Sequence, residues 1–156
     1  MSKLLAVAAV LLASTLPSVS MAADVSQSEA AKALLQKTVA AVAADRADAL
    51  SKIASGAEGF TDGDLYPACF SVADGTIYPF ANPNGQASVG QDMRSIKDVT
   101  GKLYGQELFD GAQKPEGEVT EVRYVFPKPG DDATPVAKVA FVTHVADLGC
   151  LVGYYE

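Results

Sequence analysis

Residues 59–83 read GFTDGDLYPACFSVADGTIYPFANP. Two runs rich in β-branched and aromatic residues, Leu65–Ala73 and Thr76–Phe80, flank Asp74-Gly75, a dipeptide that accepts the positive φ of a tight hairpin turn. The stretch therefore predicts a first strand, a turn and a returning strand, closed by a loop at Ala81-Asn-Pro-Asn-Gly85. Pro67 lies inside the first run and supplies no ladder donor, which predicts a bulge there. Asp62, Asp64 and Asp74 offer oxygens of the kind a hard cation takes. Their spacing lacks the ligand series and terminal glutamate of a calcium loop, and turn chemistry accounts for them without a metal.

Upstream, the periodicity is helical. Ser26-x-x-Glu29 has the form of a capping box, and Ala31, Leu34, Leu35, Thr38, Val39, Val42, Ala49, Leu50 and Ile53 recur at the spacing of one helix face. One long helix is expected from Ser28 to Ala54, stopped by Gly56. Downstream, Asp92–Asp98 holds a helical turn and Lys102–Gln113 a short helix. Three strands follow, at Glu118–Phe126, Val136–Val145 and Leu148–Tyr155. Pro127-Lys-Pro-Gly-Asp-Asp-Ala-Thr-Pro135 supplies the turn between the first two of these. A helix followed by five mostly antiparallel strands, with short helices inserted after the second, is an α+β domain.

The N-terminus bears on the compartment. Lys3 precedes an apolar run of thirteen residues, Leu4–Leu16, and Ser20-Met21-Ala22 offers small residues at the −3 and −1 positions of a cut. The run is too short to span a bilayer, which takes about 20 residues. Residues 1–22 are therefore read as a signal peptide, and residues 23–156 as one exported, periplasmic domain with no further membrane insertion. Such a domain buries about two-thirds of the surface its unfolded chain exposes, enough for a core without a metal. Removing Lys3 leaves 11 basic against 19 acidic residues, a surface that repels nucleic acid.

Cys69 and Cys150 form an even pair in an oxidising compartment. They fall in the first and last expected strands, so a disulfide forms if those strands are neighbours. The alternative is two buried thiols acting as small apolar residues. Catalytic signatures are absent: the sequence has no P-loop, dinucleotide fingerprint, Cys-x-x-Cys or His-Glu-x-x-His. Ser88 lacks the first glycine of a nucleophile elbow, and His144 is the only histidine. A partnered structural role suits that histidine better than acid–base chemistry, and neither enzymatic activity nor a cofactor is expected.

Several of these segments occur together in a known order. Gly59-Phe-Thr-Asp-Gly-Asp-Leu-Tyr66, Asp74-Gly75-Thr76, Asn82-Pro83, Val89-Gly90, Lys97-Asp98-x-x-Gly101-Lys102, Phe126-Pro-Lys-Pro129 and Gly153-x-Tyr155 follow the order of single Cache domains. The chain resembles these extracytoplasmic, PAS-like sensor modules over nearly all of residues 23–156. The resemblance implies a five-stranded antiparallel sheet with the long helix on one side and a pocket on the other, roofed by the insert after the second strand. It also implies that the first strand lies beside the last, the condition for a Cys69–Cys150 bond. Family pockets hold small organic acids and similar metabolites. Most members are the outer parts of membrane receptors, whereas this chain, ending at Glu156, resembles the free-standing exported members.

A pocket for such a ligand is mostly apolar with a few convergent donors. The candidates are Lys138, Arg94, Arg123 and Tyr124, with Tyr66, Phe70, Tyr78 and Tyr104 as walls. Lys138 leads because the family often carries lysine at the matching strand position. Phe80 stands where many members have histidine, and Gly149 and Cys150 replace larger apolar residues. The alternative reading is an accessory module that docks on a membrane-bound sensor through the N-terminal helix.

Overall fold

Four strands rich in apolar residues build the sheet, and the chain wraps both of its faces. The computed structural model describes residues 20–57 and 59–156; residues 1–19, which carry most of the expected leader, lie outside them. Helix α1 runs from Ser20 to Ala44 and α2 from Arg46 to Ser55. Strand β1 spans Pro67–Ser71, helix α3 Tyr104–Ala112, and strands β2, β3 and β4 span Val119–Pro127, Pro135–Val145 and Leu148–Tyr155. The strand order is β1-β4-β3-β2, all antiparallel, so the first strand does lie beside the last. Short 3₁₀ turns at Pro83–Ser88 and Met93–Ser95 stand in the insert between β1 and α3.

The expected single helix is two. At Asp45 the backbone turns extended (φ −154°), and its carboxylate accepts a hydrogen bond from the Asp48 amide at 3.0 Å, capping α2. A short acid at an N-cap outweighs continuation of the apolar stripe. Gly56 ends α2 at φ 64°, a left-handed conformation that glycine adopts without a Cβ clash.

The expected fifth strand, Thr76–Phe80, is also corrected. Ile77 bridges Phe70 and Thr76 bridges Asp92, but no continuous ladder forms. The reason is local. The Ile77 amide goes to Gln91 O, the Tyr78 amide to Cys69 O, and Pro79 has no N–H to extend either pairing. Pro67 opens β1 opposite Val152 in a regular register, so the bulge expected there is replaced by a strand start, where the missing donor is tolerated.

The two faces of the sheet do different work. Ala31, Leu34, Leu35, Thr38 and Val42 of α1 are buried against β3 and β4, while α3 packs on the opposite face. Covered on both sides, β4 is buried at every position, which is why Leu148–Tyr155 is apolar almost throughout instead of alternating. Gly149 allows the close approach of α3, since a Cβ there would meet Phe70 Cζ at 2.5 Å and Ala112 Cβ at 2.6 Å.

Cys69 and Cys150 face each other in the β1–β4 register with Cα atoms 4.2 Å apart, and they are disulfide-bonded. Both are fully buried on the α1 side, and the bond closes a separation of 81 residues. A cross-link of that reach restricts the unfolded chain more than the folded one. The Cys69→Ala/Cys150→Ala double variant is expected to lose about 2–4 kcal/mol of unfolding free energy in urea titrations. An unchanged midpoint would show that the bond contributes nothing to stability.

Candidate functional site

Opposite the disulfide, between the sheet and the insert, lies a cavity of about 40 Å³. Its floor is Ala68, Leu151, Tyr124, Phe126 and Lys138; Tyr66, Ile77 and Phe80 form a wall; Ser88, Met93, Ile96, Tyr104 and Leu108 form the roof. The two-residue period of the strands puts Tyr124 and Lys138, which are register partners, on this face. The lining is apolar and aromatic apart from a small set of polar atoms.

Those polar atoms converge at one end. Lys138 is 3% exposed, and its Nζ donates to Tyr66 Oη at 2.9 Å and to Tyr155 Oη at 3.4 Å. The ammonium also lies 4.3 Å from the Tyr66 ring centre, 4.8 Å from Tyr155 and 5.3 Å from Phe126, a cage of aromatic faces. Among the described residues no carboxylate lies within 4.0 Å of it. Gly153 makes room for its stem, because a Cβ there would stand 2.5 Å from Lys138 Cε.

Asn82 organises the same end. Its side chain is fully buried and donates to Tyr66 Oη at 2.9 Å and to Pro127 O at 3.0 Å, while its Oδ1 accepts from the Asn84 amide. Tyr66 Oη thus accepts from both Lys138 and Asn82, and its own proton is left for Tyr155 Oη, 3.5 Å away. Tyr155 Oη donates to Pro127 O at 2.8 Å. Burial pushes the hydroxyls of Tyr104, Tyr124 and Tyr155 above the ordinary tyrosine range, so each is a protonated donor at neutral pH. Tyr104 stacks on Tyr124 with ring centres 4.0 Å apart, and Phe80 lies parallel to Tyr66 at 6.0 Å. The cavity therefore offers one cation and several neutral donors to whatever enters it.

Of the eight expected ligand residues, Lys138, Tyr66, Tyr104 and Tyr124 line this cavity and four do not. Arg123 is one strand position from Tyr124 and so points to the opposite face, where it pairs with Glu121 and Glu156. Arg94 is held beside Asp92, two residues away in the same 3₁₀ turn, with its guanidinium over the Phe109 ring. Phe70 fills the space between Gly149 and Phe109. The Tyr78 hydroxyl accepts from Arg46 Nη2 at 2.7 Å, at the foot of α2. Asn82 falls in an expected loop, and no residue-level pattern selects Tyr155, Ile96 or Phe126. The available signal for Asn82 was its place in an Asn-Pro-Asn run, where a short amide caps a turn.

The acids have local tasks. The Asp74 carboxylate accepts from the Thr76 amide, and Asp64 pairs with Lys128 at 2.9 Å. Asp98 ties the roof to the edge of the sheet: Oδ1 accepts from Thr100 and from the Lys102 amide, and Oδ2 accepts from the Val125 amide at 3.1 Å. His144 Nε2 lies 2.8 Å from Ala146 O in the β3–β4 hairpin, outside the cavity.

The model of the single Cache domain 2 family matches residues 21–155. No curated protein matches the chain. Among solved structures, a periplasmic sensor domain of a chemotaxis protein is 26% identical over 88% of this chain and 99% of its own, with a TM-score of 0.61. A methyl-accepting chemotaxis protein from Vibrio parahaemolyticus RIMD 2210633 is 16% identical, over 86% of this chain and 91% of its own, with a TM-score of 0.66. A Cache chemosensory domain, described as showing the structural basis for carboxylic acid recognition, is 20% identical over 91% and 99%, with a TM-score of 0.58.

The Asp98 clamp carries a pH signature. Burial pushes its carboxyl upward, but the hydrogen bonds from Thr100, Val125 and Lys102 outweigh that and hold it below the usual carboxylate range. A depressed folded-state value adds stability that is present above about pH 4 and fades as the pH falls below it. Urea titrations of wild type and Asp98→Asn should differ at pH 7 and converge towards pH 3. A difference that is constant across that range would remove the carboxylate from the clamp.

Proposed function

The chain belongs to the single Cache domain family, and from that premise we propose that it is a non-catalytic, periplasmic sensor domain whose ligand is a small carboxylate bound at Lys138. The observation that carries the reading is the buried ammonium without an acidic partner. A cation held out of water is costly unless an anion or several dipoles compensate it. Here tyrosine hydroxyls and ring faces compensate in part, and a carboxylate beside Nζ would complete the pair and draw the Tyr66 proton from its long, 3.5 Å contact with Tyr155 Oη. The size of the cavity supports a ligand of few heavy atoms: about 40 Å³ is roughly three water-sized positions.

The chemotaxis sensor domains among the structural relatives support extracytoplasmic sensing, and the relative described as recognising carboxylic acids supports the ligand class. No helix of the described residues is long and apolar enough to cross a membrane. A second reading, docking on a membrane-bound receptor, draws on a groove of about 360 Å³ between α1 and the start of β2, where Val119 is 51% exposed. The outward residues of α1 from Ser26 on are Ser26, Gln27, Glu29, Lys32, Gln36, Lys37 and alanines, which gives that reading less support than the cavity gives the first.

Calorimetric titration of the purified protein with acetate, propionate and pyruvate, against acetamide and propionamide, tests the proposal. Binding of at least one acid is expected, with the amides silent. Lys138→Met is expected to weaken that acid by about a hundredfold or more, as for loss of one member of a buried pair. Amides that bind as well as acids, or acid binding that survives Lys138→Met in a folded variant, would overturn it.

A further inference from the structure

Strand β2 is one edge of the sheet, with β3 as its only partner strand among the described residues. Because the Val125 amide points away from β3 to Asp98, the odd-numbered residues of β2 direct their N–H and C=O groups outward. Such groups accept a further strand unless something covers them. Two side chains do so at one end. Asp98 Oδ2 accepts from the Val125 amide at 3.1 Å, and Lys102 Nζ donates to Arg123 O. Both belong to a turn closed by the Asp98 amide, which donates to Lys102 O at 3.0 Å. The outward groups of Val119 and Glu121 have no partner among the described residues.

The side chains of the same residues face the α1 side of the sheet. Helix α1 packs on β4 and β3, however, and leaves Val119, Glu121 and Arg123 exposed. With Val125 they read apolar, acid, base, apolar along the chain. Laid antiparallel against itself about Val122, this pattern is its own complement: Val119 meets Val125, and Glu121 meets Arg123, each twice by symmetry. A register centred on Glu121 or on Arg123 sets like charges opposite each other instead.

We propose that β2 pairs antiparallel with β2 of a second copy of this chain, and that the 98–102 turn is the guard that holds this edge closed. Asp98 and Lys102 stand where the second strand would run. With them withdrawn, Glu121 of each copy exchanges backbone hydrogen bonds with Arg123 of the other, and two four-stranded sheets join into one. The Glu121–Arg123 pair within each chain, 2.9 Å apart, then becomes half of an alternating cluster shared by both copies. Recognition rests on the order of charges along β2.

Sedimentation equilibrium tests the guard and the register separately. The Asp98→Ala/Lys102→Met variant should sediment at twice the wild-type mass, with a dissociation constant of about 0.1 mM or below. Lys102→Met alone, which leaves Asp98 on Val125, covers the case of a double variant that does not fold, and it should shift part of the way. Added to the opened chain, Glu121→Arg and Arg123→Glu should each abolish the association, because each sets like charges across the axis. Mixing those two chains should restore it, since the mixed pair again sets opposite charges face to face. An opened chain that keeps the wild-type mass would overturn the proposal. So would charge-reversed chains that still pair with themselves, or that fail to pair with each other.

Discussion

The site depends on a single ammonium group kept out of water without a carboxylate beside it. Most charged side chains of this protein resolve their charge locally, in surface pairs such as Lys52–Asp48 or in caps such as Asp45. Lys138 is different, because its Nζ is compensated by oxygen dipoles and aromatic faces alone. Such an arrangement is stable enough to fold and still electrostatically unfinished, and an anion that reaches it gains a pair in a low-dielectric space. The rest of the site follows. Tyr66 must turn its proton from Tyr155 towards the anion, Asn82 must fix Tyr66, and Gly153 must leave room for the lysine stem.

The fold makes this possible by dividing labour between the faces of one sheet. On the α1 side the strands are locked by aliphatic packing and by the Cys69–Cys150 bond, which joins the first strand to the last. On the other side the same strands carry Ala68, Tyr124, Lys138 and Leu151, with Tyr66 just ahead of β1, beneath an insert with little regular structure. The insert is fastened at discrete points, by Asn84 to the carbonyls of Lys128 and Gly130 and by Asp98 to Val125. A rigid floor under a pinned roof suits a sensor, since ligand contacts with the roof need not disturb the sheet.

Much of the fold was legible in the sequence. The last three strands and α3 agree with the sequence reading to within two residues, because the alternation of β2, the apolar runs of β3 and β4 and the helical spacing of α3 have no competitor. The places that were misread share a cause: a short-range polar or proline effect overriding a longer apolar pattern. Asp45 restarts the helix although the stripe from Ala31 to Ile53 continues through it, and Pro79 ends the return strand although Thr76–Phe80 is rich in β-formers. The site was half legible. Tyr124 and Lys138 lie on one face by register, but alternation alone placed Arg123 on the other face, and Arg94 was claimed by its neighbour Asp92. The cap at Asn82 has a local signal, but its reach to Tyr66 and the places of Tyr155, Ile96 and Phe126 depend on how the insert closes over the sheet, which no local pattern encodes.

The central claim is that Lys138 and Tyr66 together receive a carboxylate. A crystal structure of the purified protein grown with a short carboxylic acid tests it most directly. Electron density for the acid is expected in the inner cavity, with one oxygen within hydrogen-bond distance of Lys138 Nζ and the other accepting from Tyr66 Oη. Density for the acid elsewhere on the protein, with only water beside Lys138, would contradict it.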